Sequence, residues 1–134
     1  MDVHSLHIMS LLSGLFGDAT EVGSDTLEKE LSAFLIEGEG IQNGYKLVRD
    51  LIVFTNWRLI LVDKQGMTGK KREYTCVPYK SIAYFSLETT GHFDRDAEIR
   101  VAVKGKPDPI KLDFRGDSHV MDVFRVLSQF VSMR

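Results

Sequence analysis

A small antiparallel β domain with helices only at its two ends, mainly β or α+β in class, is what this sequence predicts. Beyond Glu37 the apolar residues abandon helical spacing for short strand-like runs. Gly, Asn and Pro punctuate those runs, and no helical segment falls between them to join parallel neighbours. At 134 residues the chain has the length of one domain, enough to bury a core without disulfides or metal. Its hydrophobic share of 43% beside a charged share of 27% argues against extensive disorder.

The first segment, from Leu6 to Phe16, carries Leu6, Ile8, Met9, Leu11, Leu12, Leu15 and Phe16, interrupted by Ser10, Ser13 and Gly14. It reads as a weak helix with a sticky face. The lack of a basic front region argues against an export signal. A helix is expected over residues 25 to 35, because Ser24 and Asp25 offer capping oxygens, Glu28 follows Asp25 by three, and Leu27, Leu31, Phe34 and Leu35 share one stripe.

Seven strands are expected next, at 41 to 48, 50 to 55, 58 to 64, 71 to 77, 81 to 90, 97 to 104 and 109 to 115. Turns at Asn56, Gln65-Gly66, Pro78, Gly91 and Gly105 to Pro109 divide them. In the sixth, Ile99, Val101 and Val103 alternate with Glu98, Arg100 and Lys104; in the seventh, Ile110, Leu112 and Phe114 alternate with Lys111, Asp113 and Arg115. Each therefore has one wet face and one buried face. Leu51 to Phe54 and Leu59 to Val62 are apolar on both faces, which calls for a covering layer from a helix or a neighbouring subunit. A final amphipathic helix, capped by Asp117 or Ser118, sets Val120, Val123, Phe124, Leu127, Phe130 and Val131 opposite Asp122, Arg125 and Gln129. It is expected to pack as a lid.

Seventeen basic and nineteen acidic residues give a formal charge of −2, so the chain has no global field for nucleic acid or an anionic membrane. The single cysteine, Cys76, cannot form an internal bridge, and no stretch approaches the length of a membrane span. A reducing, cytoplasmic setting is the expectation.

No residue set points to catalysis, and none implies a cofactor, a metal or a small-molecule substrate. Cys76 lies in a strand pattern on the parity of Tyr74 and reads as a buried structural thiol. His4 and His7 stand three apart without further ligands, while His92 and His119 read as solvated. Asp94, Asp96 and Glu98 alternate as a solvated strand edge does. Gly38, Gly40 and Gly44 have the wrong spacing, and the wrong preceding element, for a nucleotide loop.

The electrostatic candidate is a basic hairpin of Lys64, Lys70, Lys71 and Arg72, with Lys46 and Arg49 near the first hairpin. Such a cluster suits an anion or partner, or else simply keeps a hairpin tip soluble. The aromatics Phe54, Phe85 and Phe114 read as core, whereas Tyr45, Trp57, Tyr74, Tyr79 and Phe93 are candidates for exposure. They interleave poorly with bases, which disfavours single-stranded nucleic acid. For Trp57 beside Arg58, a cation-π pair, a subunit contact and a ligand each offer an explanation.

The runs Leu35-Ile36-Glu37-Gly38-Glu39, Tyr45 to Asn56, Arg58 to Gly66 and Pro78 to Ile82 resemble the bacterial pleckstrin-homology domain family. So do Gly69-Lys70-Lys71, Phe85 to Thr89 and the stretch from Leu11 to Val22, so that the resemblance covers about residues 9 to 132. It implies a seven-stranded bent antiparallel barrel, one end plugged by the C-terminal helix. It also implies a stand-alone, cytoplasmic, non-catalytic protein of unassigned function that assembles into a ring-shaped homo-oligomer. Residues 1–23 are then an N-terminal appendage, 1 to 8 of them an upstream extension, and 24–134 the pleckstrin-homology-like domain.

The basic signature of eukaryotic lipid-binding relatives is not reproduced, since the first hairpin carries only Lys46 and Arg49 beside Asp50. The expected function is a scaffolding module that self-associates and binds a protein partner, with Leu11, Leu12, Leu15, Phe16 and Trp57 as interface candidates. The alternative is a peripheral membrane module that holds anionic headgroups on the basic hairpin and anchors through Leu11, Leu12, Leu15 and Phe16.

Overall fold

The computed structural model describes residues 24–47, 50–65, 71–89, 96–115 and 119–133, except for the side chains of Ser24, Lys64 and Gln65. The expectations placed on residues 1–23 lie outside this set, as do those on Arg49, Lys70, His92, Phe93, Asp94, Asp117 and Ser118. Two compact units divide the chain, Met1–Cys76 and Val77–Arg134.

The first unit opens with helix α1, Ser24–Leu31, followed by strands β1 (Ile41–Lys46), β2 (Leu51–Thr55), β3 (Arg58–Gln65) and β4 (Lys71–Pro78), the last running into the second unit. They form one sheet in the order β1-β2-β3-β4. The two antiparallel registers that fix its centre pair Val53 with Ile60 and Leu51 with Val62. Those four side chains therefore share a face, and they form a buried cluster with Leu27 and Leu31 of α1. An i, i+4 leucine pair lays one stripe of the helix across the sheet. This supplies the second layer that the two-sided apolar strands require, without a neighbouring subunit.

The layers touch closely at Gly44 of β1, where a Cβ would lie 2.5 Å from Leu27 Cδ1. On the opposite parity Ile52, Phe54 and Leu59 are also fully buried. Tyr45 packs edge-on against Phe54 with ring centres 6.3 Å apart.

Helix α1 ends four residues earlier than the hydrophobic stripe predicts. The Leu31 carbonyl accepts from both the Phe34 and Leu35 amides, at 2.8 and 3.2 Å, and the chain turns away there. Phe34 leaves the helical stripe to lie against Tyr74 of β4 at 4.4 Å, while Leu35 packs on the cluster from its side. A tertiary aromatic contact has overridden local periodicity.

In the second unit a 3-10 turn at Tyr79–Ser81 leads into β5 (Ile82–Thr89), β6 (Ala97–Val103), β7 (Ile110–Phe114) and helix α2 (Val120–Ser132). The sheet order is β5-β6-β7. Leu87, Ile99 and Leu112 form one cross-strand row, and Glu88, Glu98 and Asp113 form the next on the opposite face. The alternation expected for β6 and β7 holds, with Ile99, Val101, Leu112 and Phe114 buried.

Val120, Val123, Val126, Leu127 and Phe130 make the buried stripe of α2. Its Phe130 stacks on Tyr79 at 5.1 Å and its Phe124 meets Phe85 edge-on at 5.3 Å. Two tyrosines expected at the surface are thus interior: Tyr45 is 1% and Tyr79 5% exposed. Each has found an aromatic partner distant or on another element, which sequence spacing does not reveal.

Candidate binding surface

Two turns in the first unit are locked together by side chains. Glu39, on the turn between α1 and β1, has a carboxylate with no exposed surface. Its Oε2 accepts from Arg58 Nε at 2.8 Å and from the Thr55 hydroxyl at 2.7 Å. Its Oε1 accepts from the Arg58 Nη2 at 2.8 Å and from the Ile36 amide at 3.3 Å. The pair is bidentate, the stronger geometry for a guanidinium and a carboxylate. Arg58 Nη2 also donates to the Phe34 carbonyl at 2.9 Å.

Asn56 completes the lock from the β2–β3 turn. Its side chain accepts from the Gly40 amide at 2.8 Å and donates to the Gly38 carbonyl at 3.0 Å, and its own amide donates to the Gly40 carbonyl at 3.1 Å. The Thr55 hydroxyl oxygen accepts from the amides of Trp57 and Arg58, at 3.1 and 2.9 Å. Gly38 has a φ of +86°, and the Trp57 ring lies 3.0 Å from where its Cβ would stand. Positive φ and close approach both favour glycine there.

Burial raises the Glu39 pKa. The hydrogen bonds from Arg58, Thr55 and the Ile36 amide, with the charge of Arg58, outweigh it, so the carboxyl is held below the ordinary 4.5. The hydrogen bonds to Glu39 raise the pKa of Arg58 against its own burial, with the Cys76 side chain contributing in the same direction. Both groups stay charged at neutral pH and hold the turns rigidly.

On this clasp stand three exposed apolar side chains: Phe34 at 36%, Ile36 at 59% and Trp57 at 46% exposure. Of the expected interface residues, Trp57 is the one described, and it is at the surface. Its neighbour Arg58 directs its guanidinium to Glu39 and the Phe34 carbonyl, which accounts for that cation without the indole.

The structure divides the expected basic cluster. Lys71 is exposed on β4, but Arg72 forms an ion pair with Glu30 of α1. Lys46 is exposed at the end of β1. Lys64 belongs to β3 with its side chain outside the described set, and Lys70 and Arg49 lie outside it altogether. A shallow cleft of about 300 Å³ beside the Arg72–Glu30 pair is lined by Thr26, Leu27, Lys29, Glu30, Leu51 and Arg72.

Cys76, expected inside, is exposed. It lies on the outermost strand of its sheet, beside the polar Arg58 side chain. Asp96 is exposed, and Glu98 is bonded to Arg100, as suits a solvated strand edge. His119, expected to be solvated, lies half-buried at the start of α2 with Nδ1 3.0 Å from an Asp122 oxygen. Among the described residues no three His, Cys, Asp or Glu side chains are grouped to hold a metal ion. No helix among them is long and apolar enough to cross a membrane.

Of the clasp residues Glu39, Thr55, Asn56 and Arg58, sequence reasoning named Asn56 only as a turn and Arg58 only as a cation beside Trp57, and their joint role was not singled out. They appear there as turn punctuation and strand ends, and the one available signal is that Gly38-Glu39 and Thr55-Asn56 fall in runs that carry the family resemblance.

A four-stranded and a three-stranded antiparallel sheet followed by a C-terminal helix define a pleckstrin-homology-like domain. Residues 10–131 match the family model described as bacterial PH domain, and the chain belongs to that family. It is 46% identical over 121 residues to the uncharacterized protein YjqA of Bacillus subtilis, covering 90% of this chain and 97% of that one. Among solved structures it is similar to a pleckstrin homology domain from Shewanella amazonensis, at 42% identity and a TM-score of 0.77, covering 90% of this chain and 98% of that chain. A DUF1696 family protein with a pleckstrin-homology domain from Shewanella loihica gives 42% identity and a TM-score of 0.72, over 86% of this chain and 98% of that one.

Proposed function

We propose that this chain is a non-catalytic, cytoplasmic scaffolding module that self-associates into a ring-shaped homo-oligomer through the apolar rim of Phe34, Ile36 and Trp57 and binds a protein partner. The observation that carries this reading is the exposure of these three large apolar side chains on turns fixed by the Glu39–Arg58 pair. Rigid aromatic side chains lose little conformational freedom on binding, and tryptophan is enriched where interfaces hold most of their energy. The two-sided apolarity of β2 and β3 no longer argues for assembly, because α1 covers one of those faces. The weight therefore rests on the rim.

Sedimentation velocity at micromolar concentration tests the proposal. Wild-type protein is expected to sediment as a multiple of 15.2 kDa, and the Ile36→Ser/Trp57→Ser variant is expected to shift toward monomer with its melting curve preserved. An unchanged oligomer in the folded variant overturns the rim as the contact. Salt-sensitive flotation with anionic vesicles, together with a monomeric wild type, favours the membrane reading instead.

A further inference from the structure

The three-stranded sheet is a set of cross-strand rows that end at β5, its outer strand. On the solvent face Glu88, Glu98 and Asp113 form one row, Ser86, Arg100 and Lys111 the next, and Tyr84 then stands opposite Ala102. On the inner face Leu87 ends the row of Ile99 and Leu112, and Phe85 ends the row of Val101 and Ile110. Ile99 and Val101, in the middle of these rows, are fully buried. Leu87 and Phe85 are only half-buried, although Phe124 of α2 lies edge-on to Phe85. The inner rows are thus covered at their centre and open at their β5 end.

The backbone of β5 suits an added strand. Its irregularity lies at the start, between Ile82 and Tyr84, and the pairing with β6 runs unbroken from Tyr84 to Thr89. Outer strands are usually blunted by charges, irregularities or short length, yet within Ile82–Thr89 the single charged residue is Glu88.

The solvent-face rows define the chemistry of the occupant. Tyr84 is 63% exposed, the most exposed large apolar side chain among the described residues. The Glu88 side chain is 65% exposed, and the Arg100 beside it is shared with Glu98. At this end of the sheet a shallow cleft of about 380 Å³ is lined by the carboxylates of Glu88, Asp96, Glu98 and Asp113 against the one cation of Arg115. Even with Arg100 counted, the acids outnumber the bases four to two.

We propose that β5, flanked by Phe124 of α2, binds an extended segment of a partner protein that adds antiparallel to it and carries a basic residue ahead of alternating apolar ones. The first residue, opposite Glu88, is Lys or Arg, whose long side chain reaches along the carboxylate row. The second and fourth, opposite Leu87 and Phe85, are apolar and complete the two inner rows. The third, opposite Ser86, joins the row of Arg100 and Lys111 and is not basic. The fifth, opposite Tyr84, is apolar. Opposed residues of paired strands hold their Cβ atoms about 4.5–5.5 Å apart, which brings each of these contacts within reach. In strand addition the main chain supplies affinity and the alternate side chains supply specificity. The proposal rests on the partner-binding part of the proposed function and uses residues other than the Trp57 rim.

A fluorescein-labelled peptide Ser-Lys-Ile-Thr-Val-Tyr-Ser and its counterpart with Glu in place of Lys test it by anisotropy. Wild type is expected to bind the Lys peptide about tenfold more tightly, since unlike charges directly opposed stabilise strand pairing and like charges destabilise it. Glu88→Lys is expected to invert that preference, and Tyr84→Ser to weaken both peptides, with the melting curves of both variants preserved. The Lys peptide N-methylated at Ile and Thr is expected to lose binding, because it cannot donate to the strand. Amide exchange in residues 82–89 is expected to slow when the Lys peptide is added.

Equal affinity for the two peptides, or a preference that Glu88→Lys leaves unchanged, overturns the site, as does a wild type that binds neither at millimolar concentration. Binding that is lost in Ile36→Ser/Trp57→Ser but kept in Glu88→Lys and Tyr84→Ser also overturns it, while partner binding stands and moves to the rim. Residues 82–89 already protected before peptide is added are an edge covered by a second copy, and they overturn the site too.

Discussion

The Glu39 carboxylate and the Arg58 guanidinium, nineteen residues apart, meet through two hydrogen bonds of 2.8 Å, with the carboxylate wholly shielded from solvent. A buried charge held this way is sensitive to loss of its partner, because what remains is an ion out of water. Arg58→Ala is therefore expected to destabilise the protein by about 3 kcal/mol, the low end for breaking a buried pair, since Arg58 itself keeps 23% exposure. Arg58→Lys recovers only part of this, as an ammonium cannot reproduce the planar fork. Urea denaturation measures both; an Arg58→Ala loss below about 1 kcal/mol, the level of a surface pair, contradicts the clasp.

The same pair sets a pH dependence. A carboxyl whose folded-state pKa is depressed contributes stability that is fully present above its unfolded value, here the ordinary 4.5, and is lost as pH falls through that value and then through the lower folded one. Thermal melts from about pH 7 to about pH 3 are expected to show wild type losing stability faster on acidification than Glu39→Gln. Parallel curves for the two proteins contradict the assignment.

Packing of α1 on the first sheet gives a third expectation. Gly44→Ala puts a methyl 2.5 Å from Leu27 Cδ1, and Leu27 is itself buried, so the helix or the side chain must shift. The expected loss is about 1–3 kcal/mol, as for overpacked cores. In a Leu27→Ala background the same substitution costs less, because the clash has gone; strict additivity in a double-mutant cycle contradicts the contact.

Arg72 should matter little to stability. Its pairing with Glu30 links β4 to α1, but both side chains keep solvent contact, at 31% and 23% exposure. Arg72→Ala is expected to change stability by less than about 1 kcal/mol, as for exposed pairs. A larger loss in denaturation contradicts that ranking of the two ion pairs.

The strands were legible in the sequence to within about two residues at each end, because alternation and turn residues are local signals. Most of the buried stripe of α2 was legible for the same reason, although Val126, which was not expected on it, is buried and Phe124 and Val131 are only half-buried. What escaped was set by partners on other elements of the fold. Arg72 looks like part of a free basic cluster until Glu30, forty-two residues earlier, is placed beside it. Tyr45 looks amphipathic until Phe54 turns its ring edge-on toward it. The clasp escaped for a similar reason, since Asn56 reads as ordinary turn punctuation and its three bonds to Gly38 and Gly40 cross sixteen or more residues.

Trp57 is the chain's one tryptophan and is 46% exposed, so its emission reports directly on the rim. The decisive measurement is its fluorescence maximum against protein concentration, recorded alongside mass by light scattering. The emission is expected to move to shorter wavelength over the same concentration range in which the mass rises above 15.2 kDa. A mass that rises while the emission stays fixed, or a mass that never rises, contradicts the account.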